Sequence, residues 1–517
     1  MAWLGAVAAG LLAFGLSIWR VLPGVAFWDT AEFQMVLPVM GTAHPTGYPT
    51  YVILGWLASI LLAPIGEPAF RINVLSAILV GVGAGFTADL ARRLSRSTLL
   101  GIAAGIGTAT TPIVWAIGTH ADPHALHFAF VAIILWLLVR WEQARRGDPL
   151  DPADAGPLVE DGAPSRNADR LLIAAAVVTG LSVGNHSLTL LLGPPIILFV
   201  LAVDRGILHR RRFILANIAA FAIPTVLVRF EMILRAGWFR APFVYANPST
   251  WEGFWYVTLG AQFHGWLTDP FANPGKRLDD LVSIATSQFG PLAVVILVAF
   301  VVTAIRRPRY ALLTGTTMVL TCFFNSVYPD GAIDRYYIGP ILIAWTWIAV
   351  LAAAVADAIA GVVASRGGLA TVLRPAALVG LTILLIAPTV QALPARARSI
   401  DQTGNRAAQA WTDDVLSALE PNAVVVSWWS YSTTLWYATI VEGRRPDILI
   451  IDDRNRVDLN LLELSQVIDI YLASRPVYLI RNGNSELPAL QGRYEIQPIG
   501  APIATNVLRV LPIAAAP

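Results

Sequence analysis

Runs of about twenty mostly apolar residues recur through most of this chain, and a run of that length constrains a fold before any motif does. They occupy 2–19, 71–90, 98–118, 125–141, 213–235, 289–305, 310–326, 337–357 and 376–392. Each is predicted to be a membrane-crossing helix, because in lipid a backbone must satisfy its own hydrogen bonds. The chain is 56% hydrophobic and only 14% charged, where a soluble domain carries roughly 25% charged residues. The expected fold is therefore an α-helical polytopic membrane protein, its bilayer partner written into its composition. A net charge of +2 gives no footprint for nucleic acid. Lys276 is the only lysine, and the arginine- and alanine-rich usage points to a GC-rich bacterial genome. The single cysteine, Cys322, excludes an internal disulfide and a cysteine metal site. The run 2–19 has neither a basic leader nor a small-residue cleavage site, so it is expected to stay as the first helix.

Two stretches are ambiguous, and the bias of arginine toward the cytoplasmic side arbitrates. If 50–65 stays on the outer side as a re-entrant or interfacial helix, Arg92, Arg93 and Arg96 fall inside. So do the arginines at 145–146, 205–212, 306–309, 366 and 374. The stretch 171–203 is too long for one span and is read as a tight hairpin turning at Gly184-Asn185-His186. The expectation is about eleven crossings, amino terminus inside and carboxyl terminus outside. Six of the seven histidines (44, 120, 124, 127, 186 and 264) then lie at or near the outer face. Asp29, Glu32, Asp122, Asp269, Asp330 and Asp334 join them. Residues 146–169, rich in Asp, Pro and Gly, are expected to be a flexible linker. In the long loop 236–286, Trp238, Trp251, Trp255 and Trp266 are read as interfacial anchors.

The pattern changes after residue 392. Residues 423–428, 447–451 and 476–480 are β-type runs, and 429–442 is helical in pattern. The division expected is a membrane domain over 1–392, with 20–70 as its first outer loop, and a small extracytoplasmic α/β domain over 393–517. No glycine-rich phosphate fingerprint occurs there.

Four motifs carry chemistry. Trp28-Asp29-Thr30-Ala31-Glu32-Phe33 sets two carboxylates on one helical face. Such a carboxylate acts as a general base toward a hydroxyl, or Asp29 caps the helix with Glu32 completing a box-like spacing. His44-Pro45-Thr46-Gly47-Tyr48-Pro49 is a rigid turn that can hold His44 against that helix. His120-Ala121-Asp122-Pro123-His124, with His127 one turn on, has metal-ligand residue types. Pro123 limits convergence and no further ligand is evident, so no resident metal or other cofactor is expected. Finally, Arg335 in Tyr328–Tyr337 suits a phosphate, or pairs with Asp330 or Asp334.

The succession FWDTAEF, HPTGYP, Gly184-Asn185-His186, YPD…DRYY and WY…VEGRRPD resembles a membrane family once listed as a domain of unknown function. Its vertebrate members are endoplasmic-reticulum protein O-mannosyltransferases. The family is assigned to the GT-C glycosyltransferases, which use polyprenyl-phosphate-linked sugars and place an acidic residue of the first outer loop near the acceptor. The resemblance implies that Asp29 has that role and that Glu32 is its neighbour. Where the family's terminal domain often has an acidic residue, this chain reads Ser427-Trp428-Trp429-Ser430-Tyr431.

The expected activity is inverting transfer of a hexose, mannose by resemblance, from a polyprenyl-phosphate donor to an acceptor hydroxyl on the outer face. The acceptor is a Ser or Thr of a protein, or an envelope glycan or lipid. The substrate-binding candidates are His44, Tyr48, Arg71, His120, Asp122, Asn185, His186, Asp334, Arg335 and Tyr336, with Arg335 or Arg71 meeting the leaving phosphate. A bacterial inner membrane is the expected location. A transporter or lipid flippase would instead show internal repeats and polar groups at mid-depth, and a partner-binding scaffold would need no lipid-dependent turnover.

Overall fold

A computed structural model describes residues 3–147, 166–329, 331–364, 370–461, 463–481 and 487–513. Most of the 146–169 linker, and Asp330, lie outside the described residues. The apolar runs are helical over most of their described length. Among the described residues, seven helices are long and apolar enough to cross a membrane: Pro68–Ser95, Pro123–Arg146, Arg211–Ala236, Pro274–Arg306, Pro308–Val327, Ile333–Val362 and Val372–Ser399. Leu4–Trp19, Pro49–Leu61, Thr98–Ala109 and Ser187–Val203 are shorter apolar helices. The chain separates into two compact units.

The first unit comprises Met1–Val21, Ser76–Phe230 and Gln262–Asp401. Small residues let its helices approach closely. A Cβ on Gly10 would lie 2.8 Å from the Gly81 carbonyl oxygen, and one on Gly81 2.9 Å from that of Gly10. The long run 98–118 breaks after Ala109, since Pro112 forbids helical backbone at Thr111, and a new helix starts at Pro112. Arg396 donates to the Thr110 carbonyl left over by that break. The run 171–203 also divides as its length required: a helix ends at Val183 and another segment starts at Ser187, with His186 accepting from the Leu188 amide. Leu215, Ile218, Val226 and Leu227 are exposed on the Arg211–Ala236 helix, as apolar residues facing lipid would be.

The second unit gathers Leu22–Leu75, Glu231–Ala261 and Gln402–Pro517. Its sheet has five strands: β1 (Val424–Ser427), β2 (Leu449–Asp452), β3 (Val477–Ile480), β4 (Tyr494–Pro498) and β5 (Val507–Pro512). The order is β2-β1-β3-β5-β4, with β1 parallel to β2 and β3, and β5 antiparallel to β3 and β4. Val424, Val426, Ile451, Val467, Ile468, Val477, Leu479 and Val510 form its core. In the 22–75 segment, Gln34 is a buried hub. Its amide oxygen accepts from Ala26 N, and its nitrogen donates to Gly24 O and Asn73 Oδ1. Asn73 in turn donates to Leu22 O. A fully satisfied network of this kind fixes one path for the chain leading into the Trp28–Val39 helix. The Pro49–Leu61 helix has 13 residues and rises about 20 Å, short of a hydrocarbon core of roughly 30 Å.

Candidate active site

The Trp28–Val39 helix starts with Phe27 at its cap position, so Asp29 lies in the first turn rather than at the cap. There a carboxylate meets the positive end of the helix dipole. Asp29 is half-buried, whereas Glu32, one turn further, is 1% exposed. Both oxygens of Glu32 are engaged. Oε1 accepts from the His44 backbone amide at 2.5 Å and lies 3.1 Å from His44 Nδ1. Oε2 accepts from Trp429 Nε1 at 2.8 Å. The box-like role for Glu32 is thereby replaced by a tie to the histidine turn.

That turn is held as the proline-glycine pattern implied. Gly47 N donates to His44 O at 2.8 Å, and Gly47 and Tyr48 both take positive φ, 79° and 48°. The His44 ring packs against Tyr48 and Phe33 at 5.2 and 5.6 Å between centroids. Trp429 is fixed in its turn by the connection after β2. Asp453 Oδ1 accepts from Trp429 N at 2.9 Å, and the Arg454 guanidinium lies 4.0 Å over the indole. Neighbouring Asp452 is buried, with Oδ1 accepting from the amides of Arg454 and Asn455 and no partner on Oδ2 among the described residues.

The charges of this cluster are coupled. Burial pushes the Glu32 carboxyl up, but the His44 charge and hydrogen bonds outweigh it and hold it below its ordinary value. Burial pushes the His44 imidazole down, and the Glu32 and Asp29 carboxylates outweigh that and hold it above its ordinary value. Asp29 thus acts electrostatically on His44. Burial drives Asp452 up to about 7. Arg71 donates to Gly66 O and Ser59 O, at 2.7 and 3.1 Å, tying the connection after the Pro49–Leu61 helix.

A second cluster lies in the first unit. Asp122 caps the Pro123–Arg146 helix. Its Oδ1 accepts from His124 N and faces His124 Nδ1, both at 2.8 Å; its Oδ2 takes Arg335 Nη1 at 3.1 Å, with His120 Nε2 at 3.8 Å. Asn185 Nδ2 donates to Pro123 O, and the His186 ring packs against His124, His127 and Tyr336. Three separated sequence motifs therefore meet here. Arg335 pairs with Asp122, not with its neighbour Asp334, which is exposed and takes no part in this network. Burial would raise the Asp122 carboxyl, but Arg335 and His124 hold it far below the usual range. Burial and the facing histidines hold His186 well below its ordinary value, hence neutral. Among the described residues, no group of three or more His, Cys, Asp or Glu is placed to hold a metal ion.

Trp429, Asp453, Arg454 and Asp452 escaped the motif reading. Asp29, Glu32 and His44 share one stretch, but their partners come from two strand ends of a distant segment with no periodic signal to link them.

The fold is similar to those of two solved proteins. ArnT from Cupriavidus metallidurans bound to undecaprenyl phosphate superposes with a TM-score of 0.60, covering 99% of this chain and 98% of that one at 14% identity. The Archaeoglobus fulgidus oligosaccharyltransferase tethered to an acceptor peptide containing the NVT sequon matches at 0.51, over 98% of this chain and 75% of that one, also at 14% identity. Residues 29–206 match the family model described as the Protein O-mannosyl-transferase TMEM260 N-terminal domain. The mouse Protein O-mannosyl-transferase TMEM260 is 34% identical over 140 residues, 27% of this chain and 19% of the mouse protein. Its Dictyostelium discoideum counterpart is 23% identical over 124 residues, 24% of this chain and 15% of that protein. The matched segments thus span less than a fifth of these relatives. The family named by the motifs is the family the chain resembles.

Proposed function

We propose that this chain transfers a sugar, mannose in the simplest case, from a polyprenyl-phosphate carrier to a hydroxyl of an acceptor protein, with inversion at the anomeric carbon. The observation that carries this reading is the division of labour on one helical turn. Glu32 is spent on His44 and Trp429, while Asp29 stands half-buried in the dipole-favoured first turn. Asp29 accepts the proton of the acceptor hydroxyl as its oxygen attacks the anomeric carbon. The bond from that carbon to the phosphate oxygen breaks, and the phosphate leaves with the electron pair. Glu32 and His44 keep the turn in place and contribute no proton.

A departing phosphate needs positive charge rather than a proton. On the second unit, which carries Asp29, Arg71 is the proposed source of that charge; on the first unit, Arg335, held by Asp122, is a candidate phosphate ligand in its own right. Both Asp122 oxygens are engaged by histidine and arginine. The mouse and Dictyostelium names support mannose and a protein acceptor, and the ArnT complex supports a polyprenyl-phosphate carrier.

The test uses protein reconstituted with radiolabelled polyprenyl-phosphate mannose and an acceptor. Asp29→Asn is expected to lower turnover by about a hundredfold or more, with insertion and thermal stability unchanged. Near-normal turnover would remove Asp29 as the base.

A further inference from the structure

A cavity of about 300 Å³ lies in the first unit, in a region to which no catalytic motif points. That volume sits at the small end of ligand pockets. Its lining includes Leu94, Arg96, Arg306, Arg307, Asp357 and Arg374. Arg307 is fastened to the end of the Pro68–Ser95 helix, donating from Nε and Nη2 to Leu94 O at 3.2 and 3.0 Å. Asp357 is shared between two arginines: Oδ2 accepts from Arg306 Nη1 at 2.6 Å and Oδ1 from Arg374 Nε at 2.8 Å. Four arginines and one aspartate therefore line a concave site, two of the guanidinium groups paired with the carboxylate. Each guanidinium is a planar fork of N–H donors that matches the oxygens of a phosphate.

Its place in the unit adds a second argument. Ser76, which accepts from Asp122 N, and Leu94 share the Pro68–Ser95 helix. Along the helix axis they are separated by about 27 Å, close to the thickness of a hydrocarbon core. The arginine cavity and the Asp122 cluster thus occupy opposite ends of a membrane-crossing helix. Basic pockets between helix ends at the cytoplasmic face are where lipid phosphates are met.

We propose that this cavity binds a phosphate group at the membrane face opposite Asp122, from an anionic glycerophospholipid headgroup or from free phosphate. The site is independent of the transfer reaction proposed above. The test follows thermal unfolding of the full chain in phosphatidylcholine nanodiscs, with phosphatidylglycerol added in one arm and inorganic phosphate in the other. Wild type is expected to be stabilised in at least one arm: by phosphatidylglycerol alone if the ligand is the lipid, by inorganic phosphate if it is the free ion. Arg306→Gln/Arg374→Gln/Asp357→Asn, which removes the shared carboxylate with its arginines, should need about tenfold more ligand for the same shift. Asp357→Asn alone, which leaves all four guanidinium groups, should bind at least as tightly as wild type. Equal responses of wild type and the triple variant would overturn the proposal. Native mass spectrometry of wild type tests it without any substitution. Preferential retention of phosphatidylglycerol over phosphatidylcholine, or a bound phosphate ion, supports it. Equal retention of the two lipids with no bound ion overturns it.

Discussion

Glu32 and His44 form a buried pair whose two halves fail at opposite ends of the pH scale. The Glu32 folded pKa lies below its ordinary 4.5, so its contribution to stability is present above 4.5 and lost as pH falls through the folded value. The His44 folded pKa lies above 6.5, so its contribution is present below 6.5 and lost as pH rises through the folded value. Thermal stability should therefore be greatest between these two values and decline on both sides. His44→Gln should abolish the alkaline decline. Trp429→Phe keeps the ring but deletes the N–H given to Glu32 Oε2. Leaving that oxygen unpaired costs about 1–3 kcal/mol and moves the acid decline to higher pH. A wild-type profile flat from pH 4 to 9 would overturn the pairing. At this scale the sequence was legible where residues are neighbours: Asp29, Glu32 and the His44 turn stood out together. The segment Ser427–Tyr431 looked like a departure from the acidic family pattern. There Trp429 gives its indole N–H to Glu32 and its backbone N–H to Asp453.

The element that does most to hold this site is the turn from His44 to Pro49. Gly47 has φ +79°, and a Cβ there would lie 2.5 Å from Met232 Sδ and 2.9 Å from Val257 Cγ1. Gly47→Ala therefore combines backbone strain with a clash against packed neighbours, and is expected to destabilise the protein by about 1–3 kcal/mol. It should also lower transfer activity by displacing His44. Wild-type melting of the purified variant would show that the turn tolerates a side chain. The apolar runs and the division at 184–186 are legible in the sequence because length acts locally, whereas 98–118 reads as one helix and the structure breaks it before Pro112. β4 and β5 are not legible. β4 shows one buried residue at Tyr494 and is otherwise half-buried or exposed, a pattern no different from a polar loop, and its place is set by antiparallel pairing with β5.

At the scale of the molecule, the second unit is assembled from three separate pieces of chain. The loss of long apolar runs after residue 392 shows in composition, but composition carries no signal that 22–75 packs with 402–517. Tyr437 Oη accepts from Ala69 N at 3.1 Å, and Trp429 Nε1 reaches Glu32 across 397 positions. A chain ending at Asp401 should consequently lose transfer entirely, and its 22–75 segment should bind hydrophobic dyes and aggregate. A monodisperse, active truncation would overturn this account of the unit. The same long reach bears on synthesis. At about 5–20 residues per second, Glu32 emerges roughly 20–80 s before the tryptophan that will hold it. Throughout that interval a carboxylate destined for burial waits in a partly inserted nascent chain. Chaperones and proteases at the membrane act in that interval, and substitutions at Trp429 should first appear as lost protein rather than as lost catalysis.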